Sequence, residues 1–228
     1  VEGDTAHHLG HVLRAQKGQL YELSDGATAW LGRIETVSRN RVEFVLVDQL
    51  PAREPAAEIT LLLSIVKFDA FEWALEKSTE VGVFTVIPLA AARSEKSLVA
   101  AAAKRSERWR KILLESSQQS RRLRLPNLEA LATPAEAFSM QNGGIRVMLS
   151  ERPDAPQIRA ILARAAATKP STAAVAIGPE GGWTDEEIAS AGAAGFREAS
   201  LGPLILRTET AVVAALSILN FALAPAAD

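Results

Sequence analysis

The sequence predicts an α/β protein in which a mostly parallel sheet is covered by helices and preceded by a small antiparallel β domain. Three observations lead there. Residues 59–66, 84–89, 145–149 and 173–177 are short, nearly continuous apolar runs, as expected for strands buried on both faces. Helical stretches separate them, and repeated β–α units of this kind build a parallel sheet. Residues 1–50 have a different texture, with short strand-like runs punctuated by turn signals at roughly ten-residue intervals.

In the first domain, runs 20–23, 28–34 and 41–47 are separated by Ser24-Asp25-Gly26 and Ser38-Arg39-Asn40, which suggests a small antiparallel barrel. Ahead of them lie all three histidines, His7, His8 and His11. His7 and His11 would share one face of a helix, but two histidines do not complete a metal site, and the reading preferred here is a surface or RNA-facing role. Residues 51–55, rich in proline and charge, read as a linker. The expected domains are therefore 1–55 and 56–228.

In the second domain, helix 69–81 places Phe71, Leu75, Ser78 and Gly82 at helical spacing. Further helices are expected at 100–119, 156–167, 185–194 and 210–223, with a last strand or strand pair at 199–206. In such sheets ligands bind beyond the carboxyl ends of the strands.

Composition narrows the function classes. Nearly half of the 228 residues are apolar, enough for a core, and there are no cysteines. Disulfides, thiolate metal sites and cysteine nucleophiles are thereby excluded, which fits a cytoplasmic protein. A net charge of −2 argues against a chain that coats nucleic acid uniformly but leaves room for local patches. No signal-peptide pattern opens the chain. The longest apolar run, 211–225, is interrupted by Ser217 and Asn220 and falls short of the about 20 residues that span a bilayer, so a buried helix and no membrane insertion are expected.

Two strand-to-helix corners carry the chemistry. The first is Gly178-Pro179-Glu180-Gly181-Gly182, a bend whose bare backbone lets a ligand approach. Thr184 and Glu187 form a T-x-x-E capping box, so a helix begins at once, with free N–H groups at its loop end. The second corner is Arg207-Thr208-Glu209-Thr210, polar residues ahead of the apolar run. Neither matches G-x-G-x-x-G or a phosphate-binding G-x-x-x-x-G-K-[ST] loop. The glycine corner alone is also compatible with an ordinary tight turn; two corners close in sequence suggest one pocket. Between Lys104 and Arg124 eight cations meet two acids in a chain that is otherwise acidic. Such a run is either a solvated helix face or an RNA-backbone surface.

Together the stretches G-P-E-G-G and L-G-P-L-I-L-R-T-E-T resemble the signature of the SPOUT methyltransferases, specifically the RsmE-type family that methylates N3 of a uridine in 16S ribosomal RNA. Val12-Leu13-Arg14 with Lys17-Gly18 resembles that family's opening element. Lys67 with Glu76-Lys77-Ser78-Thr79-Glu80-Val81-Gly82, and the segment from Trp109 to Pro126, resemble two internal ones. The resemblance covers essentially the whole chain, apart from an N-terminal strand that has no counterpart here. Two departures stand out: Gln118-Gln119-Ser120-Arg121-Arg122 replaces a Glu-Gln-Ser-Gly-Arg pattern, and Ala92 stands where a glutamate often precedes the arginine matched by Arg93.

The resemblance implies a PUA-like β-barrel followed by a SPOUT domain with a C-terminal trefoil knot, working as a homodimer on the small ribosomal subunit without a metal. It implies a bent S-adenosylmethionine in a cleft formed by Leu149, Ser150, Ile177, Gly178, Pro179, Glu180, Gly181, Gly182, Leu201, Gly202, Leu204, Leu206, Thr208 and Thr210. RNA contacts are expected from Arg14, Lys17, Lys67, Arg93, Arg121, Arg122 and Arg124, with His8 a further candidate. For catalysis, Arg207 is the candidate to stabilise a uridine anion. Glu209 is either the proton acceptor or a helix-start carboxylate, and Glu180 could act similarly. Methylation of another position, such as a ribose 2′-hydroxyl, and a non-catalytic RNA-binding assembly factor are the alternative readings.

Overall fold

The computed structural model describes residues 1–51, 57–165 and 170–224. It divides into two compact units, Val1–Glu54 with Arg122–Arg124, and Pro55–Arg121 with Leu125–Asp228. Most of the expected linker lies outside the described residues.

The first unit is built on a three-stranded antiparallel meander in the order β1 (Leu20–Ser24), β2 (Ala29–Val37) and β3 (Val42–Leu50). Bulges in the β2–β3 pairing fall between Leu31 and Gly32 and between Ile34 and Thr36, adding local bend and twist. A short helix α1 (Gly3–His7) runs into a π-turn over His8–Val12. Ala6 and Leu9 from this segment close against Ala15, Ile34 and Val42 to make a small core. The two rings of His7 and His11 stack with centroids 4.6 Å apart. Among the described residues no cluster of three metal-ligating side chains occurs. Lys17 is paired with Glu35 at 2.8 Å.

The second unit is a six-stranded, wholly parallel sheet. Its order is β6 (Asn127–Leu128), β5 (Thr85–Leu89), β4 (Glu58–Ser64), β8 (Thr172–Ile177), β7 (Ile145–Leu149), β9 (Arg197–Ala199). The period of two along a strand sorts side chains into two layers. Leu61, Leu63, Val175 and Ile177 face one core together with α2 (Phe68–Glu80), α4 (Ser106–Gln119) and α8 (Thr208–Leu223). Leu62, Ala174, Ala176 and Met148 face the other, closed by Phe138 of α5 (Pro134–Ser139), Trp183 and Ala191 of α7 (Asp185–Ala193). Burial of β4 and β8 on both faces is what makes their sequences read as continuous apolar runs. Phe71 and Trp109 meet at 4.6 Å between centroids and pin α2 to α4.

Three expectations about local structure need correction. The last strand stops at Ala199 and does not extend over 199–206. Gly202 adopts φ +145 and Pro203 brings no N–H, so the ladder cannot continue, and Leu204 and Ile205 are exposed. The helix expected at 100–119 is two helices, α3 (Lys96–Ala102) and α4, joined by a 3₁₀ turn at Ala103–Arg105. Tertiary contact overrides the helical propensity of the alanines there: Arg105 and Arg108 converge on Glu72 of α2 at 3.1 and 2.7 Å, and Arg105 lies 4.4 Å above the Phe68 ring. The final helix starts at Thr208, two residues early. Helix α6 covers Ile158–Ala165, and the end expected at 167 lies outside the described residues. Helix α5, with a complete Thr133–Glu136 capping box and proline at its start, had no counterpart in the sequence reading.

Candidate functional site

All five strands from β4 to β9, β6 aside, deliver the residue following their carboxyl ends to one cavity of about 1400 Å³. Lys67 comes after β4, Arg93 after β5, Leu149 and Ser150 from β7, Ile177 to Glu180 and Gly182 from β8, and Leu201 to Glu209 from the segment after β9. The location is physical. β4 and β8 are neighbours, but their onward connections run to opposite sides of the sheet, to β5 and to β9, which opens a crevice above their ends. The volume exceeds the roughly 300–1,000 Å³ common for one small ligand, which leaves room for a second group beside it.

The glycine corner is held by specific contacts. Trp183, buried directly after it, donates from Nε1 to the Leu149 carbonyl at 2.9 Å and so ties the β8 loop to the end of β7. Its indole lies against Gly178, where a Cβ would come within 3.0 Å of the ring. Gly182 has φ +69, in the left-handed region that favours glycine. Arg93 Nη1 donates to the Gly181 carbonyl at 2.8 Å. Helix α7 begins in the expected capping box: Glu187 receives the Thr184 amide at 2.8 Å, and the Thr184 hydroxyl receives the Glu187 amide at 3.2 Å. The other carboxylate oxygen of Glu187, itself buried, receives the Ala92 amide at 2.8 Å, a link the sequence did not reveal. The neighbouring Glu186 carboxyl is held below its ordinary range by its own backbone N–H first, then by the Thr184 hydroxyl.

Of the residues proposed to bind a cofactor, all except Gly181 and Thr210 line the cavity. Arg207 and Glu209 line it too. Arg207 is the N-cap of α8 without a side-chain capping bond, and Glu209 stands in the first turn. A carboxylate there interacts favourably with the helix dipole whether or not it also handles a proton. Trp183, Arg152 and Ile188 also line the cavity and were not anticipated. Trp183 follows the two glycines without any periodic pattern to flag it. Arg152 lies within 3.5–3.9 Å of Asp154, Asp185 and Glu198.

The residues proposed for RNA are divided between the two units. Lys67 and Arg93 line the cavity. Arg14 and Lys17 belong to the first unit, as do Arg122 and Arg124, whereas Arg121 belongs to the second. Arg14 and Arg121 both have positive φ, at +51 and +56. Partial burial lowers the pKa of Arg122. The basic run is also less free than its composition suggests, because Arg105 and Arg108 are committed to the buried Glu72 and Lys111 pairs with Glu115 at 3.7 Å.

With this geometry in hand, the chain can be set beside known proteins. The RNA methyltransferase domain family matches residues 52–220, and the RNA methyltransferase PUA domain family matches residues 1–47. The ribosomal RNA small subunit methyltransferase E of Synechocystis is 32% identical over 94% of this chain and 70% of that protein. The chain belongs to the ribosomal RNA small subunit methyltransferase E family. The family protein of Bacillus subtilis is 29% identical over 97% of this chain and 89% of its own. Among solved structures, the family enzyme of Neisseria gonorrhoeae, bound to S-adenosyl methionine, superposes with a TM-score of 0.86 at 30% identity, covering 97% of this chain and 90% of that one. A Legionella pneumophila methyltransferase with bound SAM superposes at 0.82, also at 30% identity, covering 95% and 88%. These relationships bear out the SPOUT-type α/β domain behind a PUA-like unit. Among the described residues no helix is long and apolar enough to cross a membrane.

Proposed function

We propose that this protein transfers the methyl group of S-adenosylmethionine to N3 of a uridine in 16S ribosomal RNA, acting on the small subunit in the cytoplasm. The observation that carries the reading is the cavity at the strand ends. Its wall combines aliphatic side chains (Leu149, Ile177, Leu201) with exposed backbone of the glycine corner, a combination suited to an adenine ring and an uncharged edge. These aliphatic and backbone groups fit the cofactor.

When bound, S-adenosylmethionine supplies the electrophilic methyl that uridine N3 attacks as the carbon–sulfur bond breaks. The protein must hold N3 in line and stabilise the anion left by loss of its proton. Arg207, a guanidinium on the cavity wall at the start of α8, is the candidate to stabilise that anion. Glu209, in the first turn of the same helix and also on the wall, is the candidate to accept the proton or to orient Arg207. Lys67 and Arg93 supply positive charge at the same cavity, while Arg14, Lys17, Arg121, Arg122 and Arg124 are read as backbone contacts for the RNA.

The reading also includes the trefoil knot and a homodimer. Leu204, Ile205 and Phe221, the last at 88% exposure on α8, are large apolar side chains that a second copy would cover. The deciding experiment is mass-spectrometric nucleoside analysis of 16S ribosomal RNA from a strain lacking the gene. Loss of one 3-methyluridine, restored by the gene, is expected; loss of a 2′-O-methyl nucleoside instead would overturn the N3 assignment.

A further inference from the structure

Three separate bonds hold the loop after β5, one to the end of β4 and two to the glycine corner and the start of α7. Ser94 Oγ donates to the buried Ile65 carbonyl at 2.8 Å, which anchors the loop to the end of β4. The Ala92 amide donates to Glu187 Oε1, while Glu187 Oε2 takes the Thr184 amide, so one buried carboxylate joins this loop to the start of α7. Arg93 Nη1 donates to the Gly181 carbonyl at 2.8 Å, and a Cβ on Gly181 would lie 3.2 Å from the Arg93 Cβ. The corner is therefore gripped on both sides of Gly182, at the Gly181 carbonyl and at the Thr184 amide. Without these ties a stretch containing Gly178, Gly181 and Gly182 would have a large conformational entropy to lose when a ligand binds.

We propose that Arg93 and Glu187 are positioning residues for the glycine corner, fixing its backbone in the ligand-binding shape before the cofactor arrives. Arg93 then acts on the cofactor through the Gly181 carbonyl, in place of the RNA-backbone contact that its charge suggests. The exposed Arg93 bond is the adjustable part of this clamp, and the buried Glu187 bridge is the fixed part. The inference rests on the S-adenosylmethionine reading of the cavity only for its effect on affinity; the clamp itself exists in the free protein.

Three proteins test it: Arg93→Met, Arg93→Lys and Glu187→Gln, each compared with the unsubstituted chain by hydrogen exchange without ligand, by calorimetry with S-adenosylmethionine, and by a filter assay with 16S ribosomal RNA fragments. In Arg93→Met, exchange of the Gly181–Thr184 amides should rise and cofactor affinity should fall about tenfold, the scale of one charge-assisted hydrogen bond, with RNA affinity and melting temperature unchanged. Arg93→Lys, which keeps one cationic donor, should recover part of that loss. Glu187→Gln places an amide donor against one of two N–H groups and should loosen the same amides. Unchanged exchange in Arg93→Met and Glu187→Gln, or a loss confined to RNA binding, overturns the proposal. If the unsubstituted protein binds no S-adenosylmethionine, the cofactor reading falls, and hydrogen exchange in the free protein still decides whether the clamp exists.

Discussion

Substituting Gly178 by alanine isolates the contact on which the corner is built. The residue lies outside the positive-φ glycines, so alanine meets no backbone penalty. It should even gain about 0.4–1 kcal/mol by restricting the unfolded chain. Against this, the added Cβ would sit 3.0 Å from Trp183 Cε2 and 3.1 Å from Nε1, where carbon contacts prefer about 3.5–4.0 Å. The indole must retreat by roughly 0.5 Å, which strains the 2.9 Å bond from Nε1 to the Leu149 carbonyl. Overpacking costs about 1–3 kcal/mol and a weakened hydrogen bond about 1 kcal/mol more, so after that gain the net loss should be about 1–3.5 kcal/mol. For a chain of this size that lowers the melting temperature by about 2–14 °C, read by scanning calorimetry. In a Trp183→Ala background the clash and the bond are both gone, so Gly178→Ala should cost at least about 1 kcal/mol less. Additivity of the two changes within about 0.5 kcal/mol would refute the account of why glycine is needed at this position.

Methyl transfer to 16S ribosomal RNA should fall steeply in Arg207→Ala and Glu209→Gln proteins that still bind cofactor by calorimetry; full turnover in both would remove these residues from the chemistry. Removing Glu72 by Glu72→Ala leaves Arg105 and Arg108 without their shared carboxylate and the α2–α4 contact without its clamp, and should cost about 1–3 kcal/mol in urea denaturation because the carboxylate is buried and the arginines are not. Glu136 is held below its ordinary pKa of 4.5 by the Thr133 hydroxyl and amide. A depressed folded pKa gives stability that is present above the unfolded value and lost as pH falls through the folded one, so the melting-temperature gap between the unsubstituted protein and Glu136→Gln should narrow below pH 4.5. Light scattering should return the mass of two chains, and Phe221→Asp should shift it to one.

Much of this was readable from residues alone, and the reasons differ by element. β4 and β8 announced themselves because burial on both faces forces an unbroken apolar run. The α7 start was legible because a capping box is a local device, complete within Thr184 to Glu187. What failed depends on partners far away in sequence. The 3₁₀ break at Ala103–Arg105 accompanies convergence on Glu72 from another helix, and alanines cannot signal it. The end of β9 was hidden because Leu204, Ile205 and Leu206 have strand-like side chains but no neighbouring strand to pair with. Most of the expected cofactor residues converge because they follow strands of one parallel sheet, so predicting the strands placed them together. The expected RNA residues have no such common scaffold and are spread over two units. Trp183 and the second bond of Glu187 were invisible because each reaches to a loop on a different strand.

Trp183 has an optical consequence. Four tryptophans are present in the chain, yet Trp183 alone among them forms part of the cavity wall. Its indole is buried and hydrogen-bonded, so its emission belongs to a single well-defined environment. A purine stacked nearby would alter that emission, whereas Trp30 lies in the other unit and Trp73 and Trp109 belong to helices α2 and α4. The difference spectrum between the unsubstituted chain and Trp183→Phe is therefore a label-free signal of the strand-end cavity filling, available for stopped-flow kinetics without modifying the protein.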